Sequence, residues 1–177
     1  AYQNGKTILN NININIPPNT FSVIMGKSGV GKTTFSNILL GLLIPTSGNL
    51  FYGNQKITKK NISSWKRKLS FVPQEVFIFN NTFKFNITLK EHLNKNEIQK
   101  FNEIIKATGL SEMISELPNK ENTIIEENGI SISGGQKQRV GLARAAFSKS
   151  EIIVFDESTS ALDNDTESKV LRYIHDL

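Results

Sequence analysis

Nine consecutive residues, Gly26, Lys27, Ser28, Gly29, Val30, Gly31, Lys32, Thr33 and Thr34, combine three glycines, two lysines and three hydroxyls. They fit the pattern G-x-x-x-x-G-K-[ST], the spacing of a phosphate-binding loop. Glycines let the backbone curl so that successive N–H groups point at one anion. A helix start adds unpaired N–H groups and the positive end of its dipole. Lys32 would bridge the β- and γ-phosphates of a nucleotide, Thr33 would offer its hydroxyl to Mg²⁺, and Thr34 would reach the α-phosphate. A second chemical group closes the apolar run Glu151 to Glu157, which ends in Asp156 and Glu157. A strand that delivers two carboxylates beside a phosphate loop suits a metal and base site. Asp156 would hold Mg²⁺ through water, and Glu157 would orient or deprotonate the attacking water. A third group is Ser133-Gly134-Gly135-Gln136. Ser133 stands where an N-cap belongs, and the two glycines expose the first N–H groups. This is either a second anion site or a plain capped helix.

These groups need elements to hold them. Phe21 to Met25 is apolar enough for a buried strand, and Phe35 to Leu43 is apolar at helical spacing. Strand, glycine loop and helix is the context that makes the pattern a phosphate cradle. Upstream, Ile8, Ile12, Ile14 and Ile16 alternate with polar residues, which predicts a half-buried strand over 6–16. Pro17 to Thr20 is a turn. Tyr2 is either an exposed aromatic that stacks on an adenine or a frayed terminal residue. The first helix is expected to end near Ile44 to Gly48, a stretch rich in breakers. Leu50 to Gln55 reads as a strand into a turn, and Leu69 to Val72 as a short strand ending at Pro73-Gln74. Phe77, Phe79, Phe83 and Phe85 are expected mostly in the core, with any surface aromatic patch suited to docking a partner helix. From Thr82 to about Asn119 the pattern is helical, with Ile98, Phe101, Ile104, Ile105 and Leu110 at i, i+3 and i+4 spacing. The expected fold class is α/β, with a helical insert of approximately residues 82–147 inside one domain spanning 1–177.

At 177 residues the chain is long enough for one domain with a sizeable core. Hydrophobic residues make up 38% and charged residues 21%, an ordinary composition for a water-exposed globular chain. Without cysteine there are no disulfides and no thiolate chemistry. No apolar run approaches the roughly 18 residues of a membrane span. The net charge is +5, and Lys59-Lys60 and Lys66-Arg67-Lys68 are the basic clusters. They read as a solvated face, and no nucleic-acid partner is expected.

Taken in order, these motifs resemble the nucleotide-binding domain of ABC transporters, over nearly the whole chain. Gly26 to Thr34 is similar to the Walker A motif, and Gln74 to the Q-loop glutamine. Ser133-Gly134-Gly135-Gln136, extended by Gln138-Arg139 and Leu142 to Ala145, resembles the ABC signature, with Ile132 replacing the usual leucine. Ile152 to Glu157 is similar to Walker B and its glutamate. Ser160 to Asp163 resembles the D-loop. Tyr2 lies where the adenine-stacking aromatic is expected. Residues 72–82 and 156–163 look like those of ABC exporters.

The resemblance implies a P-loop NTPase core with an N-terminal antiparallel β subdomain, and a helical insert carrying the signature. It implies ATP and Mg²⁺ as cofactors, with Gln74 also near the metal and Asp163 near the nucleotide. A second nucleotide-binding domain would face the first head to tail, with Ser133 and Gly135 donating to the γ-phosphate in trans. A transmembrane domain would be the other partner, placing the chain at the cytoplasmic face of the inner membrane. The family's switch histidine follows the helix after the D-loop. His175 falls upstream of that place, so the chain is expected to be C-terminally truncated. The alternatives are a soluble ABC ATPase acting on nucleic acid or ribosomes, and an ATP-dependent assembly module without turnover.

Overall fold

A helix that stops early and turns back on itself sets the first part of the fold. In the computed structural model, α1 spans Lys32–Leu39. The expected end near Ile44 to Gly48 is corrected by Gly41, whose φ is +67°. The Gly41 N–H donates to the Ile38 carbonyl at 3.0 Å, and the Leu42 N–H to the Asn37 carbonyl at 2.8 Å. That is a Schellman closure, and glycine enters the left-handed conformation without a Cβ penalty. The structure describes residues 7–125, 132–156, 168, 172 and 173. Tyr2, Glu157, Asp163 and His175 lie outside the described residues. The chain divides into two compact units, residues 1–69 and 70–177.

In the first unit the turn after α1 packs against a small aromatic group. Trp65 is buried and donates its indole N–H to the Leu39 carbonyl at 2.7 Å. Its ring lies 5.6 Å from Tyr52. Tyr52 belongs to an antiparallel hairpin of β1 (Phe51–Tyr52) and β2 (Gln55–Lys56), in the register Phe51↔Lys56 and Tyr52↔Gln55. Gly53, with φ +55°, permits the tight turn between them. Trp65 itself sits on α2 (Ile62–Lys66). An antiparallel element is thus present here, formed among the described residues by β1 and β2.

Two expected strands of this unit do not form. Over 7–16 no strand is present, and Ile12, Ile14 and Ile16 are exposed. Asn11 turns the backbone left-handed at φ +51°, which breaks the extended run, and Pro17 and Pro18 have no N–H to give a ladder. Phe21 to Met25 likewise carries no strand, with Val23 80% and Met25 88% exposed. Apolar composition does not make a strand without a neighbour to complete its hydrogen bonds.

The second unit is mostly helical around a short strand pair. β3 (Leu69–Val72), which starts at the unit boundary, pairs with β6 (Ile152–Phe155). Just beyond β6 the Asp156 N–H donates to the Val72 carbonyl at 3.0 Å, so the C-terminal ends of both strands lie side by side. A second pair, β4 (Asn81–Thr82) with β5 (Ile124–Ile125), is antiparallel. The helical pattern of 82–119 resolves into α3 (Phe83–Thr88), α4 (Lys95–Ala107) and α5 (Ser111–Glu116). Leu89 and Gly109, at φ +53° and +65°, make the breaks. Thr82 caps α3, and Asn94 with Glu97 forms a capping box on α4.

α6 (Gly134–Phe147) is the spine of this unit. One core joins Phe83 and Ile87 of α3, Phe101 and Ile104 of α4, Leu110 and Ile114, and Val140, Ala143, Ala146 and Phe147 of α6. Each large side chain removed from water here is worth about 1.5–3 kcal/mol. The alanines of α6 let α3 and α4 approach closely. Of the four phenylalanines expected in the core, Phe83 alone is fully buried; Phe77 is 68% and Phe79 40% exposed. Of the helical apolar set, Phe101, Ile104 and Leu110 are buried, while Ile98 faces water.

Candidate functional site

The glycine loop runs directly into the unprotected start of α1. Gly29 and Gly31 take φ +77° and +109°, and the Val30 N–H folds back onto the Lys27 carbonyl at 3.3 Å. Such a curl aims main-chain N–H groups to one side. Gly31 is the N-cap of α1, and no side chain caps that end. The first intrahelical bond in the chain is from Phe35 to Gly31, at 2.9 Å. The N–H groups of Lys32, Thr33 and Thr34 therefore have no intrahelical acceptor. The Lys32 ammonium lies over the loop, donating to the carbonyls of Gly26 at 2.8 Å and Lys27 at 3.3 Å. Thr33 is exposed beside it, and a Cβ placed on Gly29 would meet nothing within 4 Å.

No acidic side chain belongs to this cradle. Residues 1–74 contain nine lysines and arginines and no aspartate or glutamate. A loop in such a stretch attracts a multiply charged anion and repels none. Ammonium, N–H and hydroxyl groups arranged this way fit a polyphosphate.

The other helix start differs. At α6 the Ser133 hydroxyl accepts from the Gln136 N–H at 3.2 Å, and the Gln136 side chain accepts from the Ser133 N–H at 2.7 Å. This capping box answers part of the alternative left open by the sequence: Ser133 is a helix cap. Its hydroxyl oxygen is used as an acceptor, which leaves its proton free to donate outward. Gly134 is exposed and Gly135 half-buried.

In the second unit the Asp156 N–H bond to Val72 brings Asp156 and Gln74 to the same strand-end edge. Asp156 is half-buried and Gln74 exposed. The Gln138 amide of α6 donates to the Gln74 carbonyl at 3.4 Å. Sequence reasoning missed Asn86, which is fully buried. Its amide accepts from the Phe79 N–H at 2.8 Å and donates to the Phe79, Asn81 and Thr82 carbonyls. An uncharged amide between Phe85 and Ile87 was the signal. Arg144 was also passed over as a contact residue. It donates to the Asn86 carbonyl at 2.8 Å and the Phe77 carbonyl at 3.0 Å, and lies 5.5 Å from the Phe79 ring centre. Burial lowers its pKa from the ordinary arginine value.

The family description "ABC transporter" matches residues 9–160. The chain belongs to the ABC transporter family. Its α/β P-loop fold is the one that this family's nucleotide-binding domain has. A putative export ATP-binding/permease protein of Rickettsia bellii is 40% identical over 170 residues, which is 96% of this chain and 29% of that protein. The mitochondrial iron-sulfur clusters transporter ATM1 of Debaryomyces hansenii is 37% identical over 98% of this chain and 25% of its own length. A bacterial Atm1-family ABC exporter solved with ATP bound superposes with a TM-score of 0.88 at 30% identity, over 99% of this chain and 30% of that one. The chain thus spans under a third of the length of these relatives.

Proposed function

We propose that this ABC ATPase domain holds the triphosphate of ATP with Gly26 to Thr34 and hydrolyses it to drive export through a membrane part. One observation carries the reading. The N-terminus of α1 follows two left-handed glycines without a side-chain cap, and Lys32 reaches over it. Among the described helices of eight residues or more, α4 and α6 start in capping boxes and α1 does not.

The roles follow from the donor chemistry. Main-chain N–H groups and Lys32 bind and orient the phosphates, neutralising charge as it shifts toward the leaving group. Among the described residues no group of three or more His, Cys, Asp or Glu forms a metal cage. A Mg²⁺ bound largely through phosphate oxygens needs only one or two protein oxygens, and the candidates to supply them are the Thr33 hydroxyl, the Asp156 carboxylate and Gln74. When bound, Mg²⁺ would supply positive charge to the phosphates. Glu157 takes the proton of the attacking water, and Gln74 helps position that water. Tyr2 stacks on the adenine, and Asp163 contacts the nucleotide region. Ser133, Gly134, Gly135 and Gln136 meet the γ-phosphate held by a second nucleotide-binding domain arranged head to tail. Residues 1–177 act as one such domain, with 82–147 as its helical part. The relatives' names, an export ATP-binding/permease protein and a transporter, support a transmembrane partner and a place at the cytoplasmic face of the membrane. No nucleic acid takes part.

The test is Glu157→Gln beside the parent chain. ATP binding by calorimetry should persist while phosphate release stops. Undiminished phosphate release removes Glu157 as the base, and absence of ATP binding by the parent removes the reading itself.

A further inference from the structure

Five exposed cations, Lys56, Lys59, Lys60, Lys66 and Arg67, lie in the segment from β2 to the C-cap of α2. All 16 acidic residues of the chain come after position 74, so the first unit holds no carboxylate side chain. Among the described residues none of the five is paired with one from elsewhere. A face that is merely wet mixes both signs, because like charges left together repel. This segment keeps one sign and balances it with nothing of its own.

The hairpin decides which way its side chains point. Neighbouring residues of a strand face opposite sides, and directly paired residues share one. Tyr52 faces inward, its ring 5.6 Å from that of buried Trp65 and 4.8 Å from the Lys68 ammonium. Phe51 and its partner Lys56 therefore share the outer face, and both are exposed. Asn61 then fixes the turn that follows. Its amide nitrogen donates to the Lys56 carbonyl at 2.9 Å, and its side-chain oxygen accepts from the Thr58 N–H at 2.7 Å. The Asn61 main-chain N–H closes onto the Thr58 carbonyl at 3.1 Å, with Lys59 and Lys60 exposed at the tip. Three ammonium groups are thus carried on backbone that is set before any partner arrives, and an aromatic ring stands with them in water.

We propose that Phe51, Lys56, Lys59 and Lys60 form a docking surface for anionic phospholipid headgroups, with Lys66 and Arg67 extending the basic stretch. The lysines meet the headgroup phosphates, and Phe51 enters the apolar boundary beneath them. A free phosphate would use the cations and leave the ring in water, whereas a leaflet takes both. The surface rests on the place beside a membrane given to this domain above, but the binding itself needs no nucleotide.

Co-sedimentation of the 177-residue chain with lipid vesicles, at low salt and without ATP, tests it. Vesicles of phosphatidylcholine mixed with phosphatidylglycerol should bind the parent at least about tenfold more tightly than vesicles of phosphatidylcholine alone. The triple variant Lys56→Ala, Lys59→Ala, Lys60→Ala should lose most of that preference. A second triple variant, Lys95→Ala, Lys106→Ala, Lys120→Ala, removes three exposed lysines of the second unit, lowers the net charge equally and should keep it. Phe51→Ser should weaken binding to the anionic vesicles severalfold and leave its salt dependence unchanged. Absence of any preference in the parent overturns the proposal. So do equal losses in the two triple variants, or a Phe51→Ser variant that binds as the parent does. Tighter binding to a mixed-sequence single-stranded RNA than to the anionic vesicles, abolished by the first triple variant, overturns it as well and makes the surface one for nucleic acid. Calorimetry with ATP decides the nucleotide reading separately. A chain that binds anionic vesicles and no ATP keeps this surface and loses that reading, and the converse result loses this surface alone.

Discussion

The Lys32 ammonium donates to the Gly26 carbonyl at 2.8 Å, so the first residue of α1 spans the loop that leads into it. The charge is held over the curled backbone by its own carbonyls, and a small rotation of the side chain turns it to an anion on that backbone. Lys32→Ala removes a charge-assisted contact worth about 1.5–3 kcal/mol, or roughly tenfold to a hundredfold in affinity. Calorimetric titration with ATP should show a loss of that size, with the thermal midpoint little changed. An unaltered dissociation constant contradicts the cradle.

Gly31 and Gly29 separate strain from crowding. Both have positive φ, but a Cβ on Gly31 would stand 2.8 Å from an Ile8 methyl and 3.0 Å from Leu9, and one on Gly29 would meet nothing. Gly29→Ala should destabilise by about 1 kcal/mol from conformation alone. Gly31→Ala adds the clash and should cost about 2–4 kcal/mol. Urea unfolding of the two variants checks the order; equal losses would mean that Ile8 and Leu9 yield freely.

Much of this site was legible because its chemistry is local. The loop Gly26 to Thr34 and the cap at Ser133 each depend on neighbours in sequence, and each stands where the residues put it. The failures are non-local. Phe21 to Met25 has strand composition, but pairing is a property of two segments, and no strand forms there. The expected end of α1 lies too far along because the breaker-rich stretch Ile44 to Gly48 outweighs the single Gly41, whose closure is seen in the bonds of Gly41 to Ile38 and of Leu42 to Asn37. Phe77 and Phe79 looked like core by type, yet Arg144 and Asn86 hold their backbone at the surface. The grip of α6 on residues 74–77 joins positions more than sixty apart, which no spacing rule reports.

Glu97 gives a pH prediction. Its carboxylate accepts from Lys90, and from the Asn94 N–H at 3.1 Å, in the capping box of α4. These bonds, the Lys90 one first, hold its pKa below the ordinary carboxyl value. A depressed folded pKa means stabilisation that is complete above the unfolded value and lost as pH falls through the folded one. The difference in urea midpoint between the parent and Glu97→Gln should therefore be present near about pH 7 and shrink on acidification toward about pH 3. The side chain is solvated, so the difference should also shrink in high salt. A gap that widens in acid would reverse the assignment.

Ser133 separates a structural role from a functional one. Its hydroxyl accepts from the Gln136 N–H, so Ser133→Ala leaves that N–H without its cap and should destabilise α6 by about 1 kcal/mol. Ser133→Asp keeps an acceptor at the cap and should retain most of that stability, but it brings a negative charge where a phosphate of the second domain would sit. If Ser133 is only a cap, Asp should behave like the parent in every assay. If it also meets the γ-phosphate in trans, both variants should keep the ATP affinity of their own Gly26 to Thr34 loop and lose ATP-dependent dimerisation in sedimentation. The aspartate variant should then lose it more completely, because its charge repels the phosphate that the hydroxyl would hold.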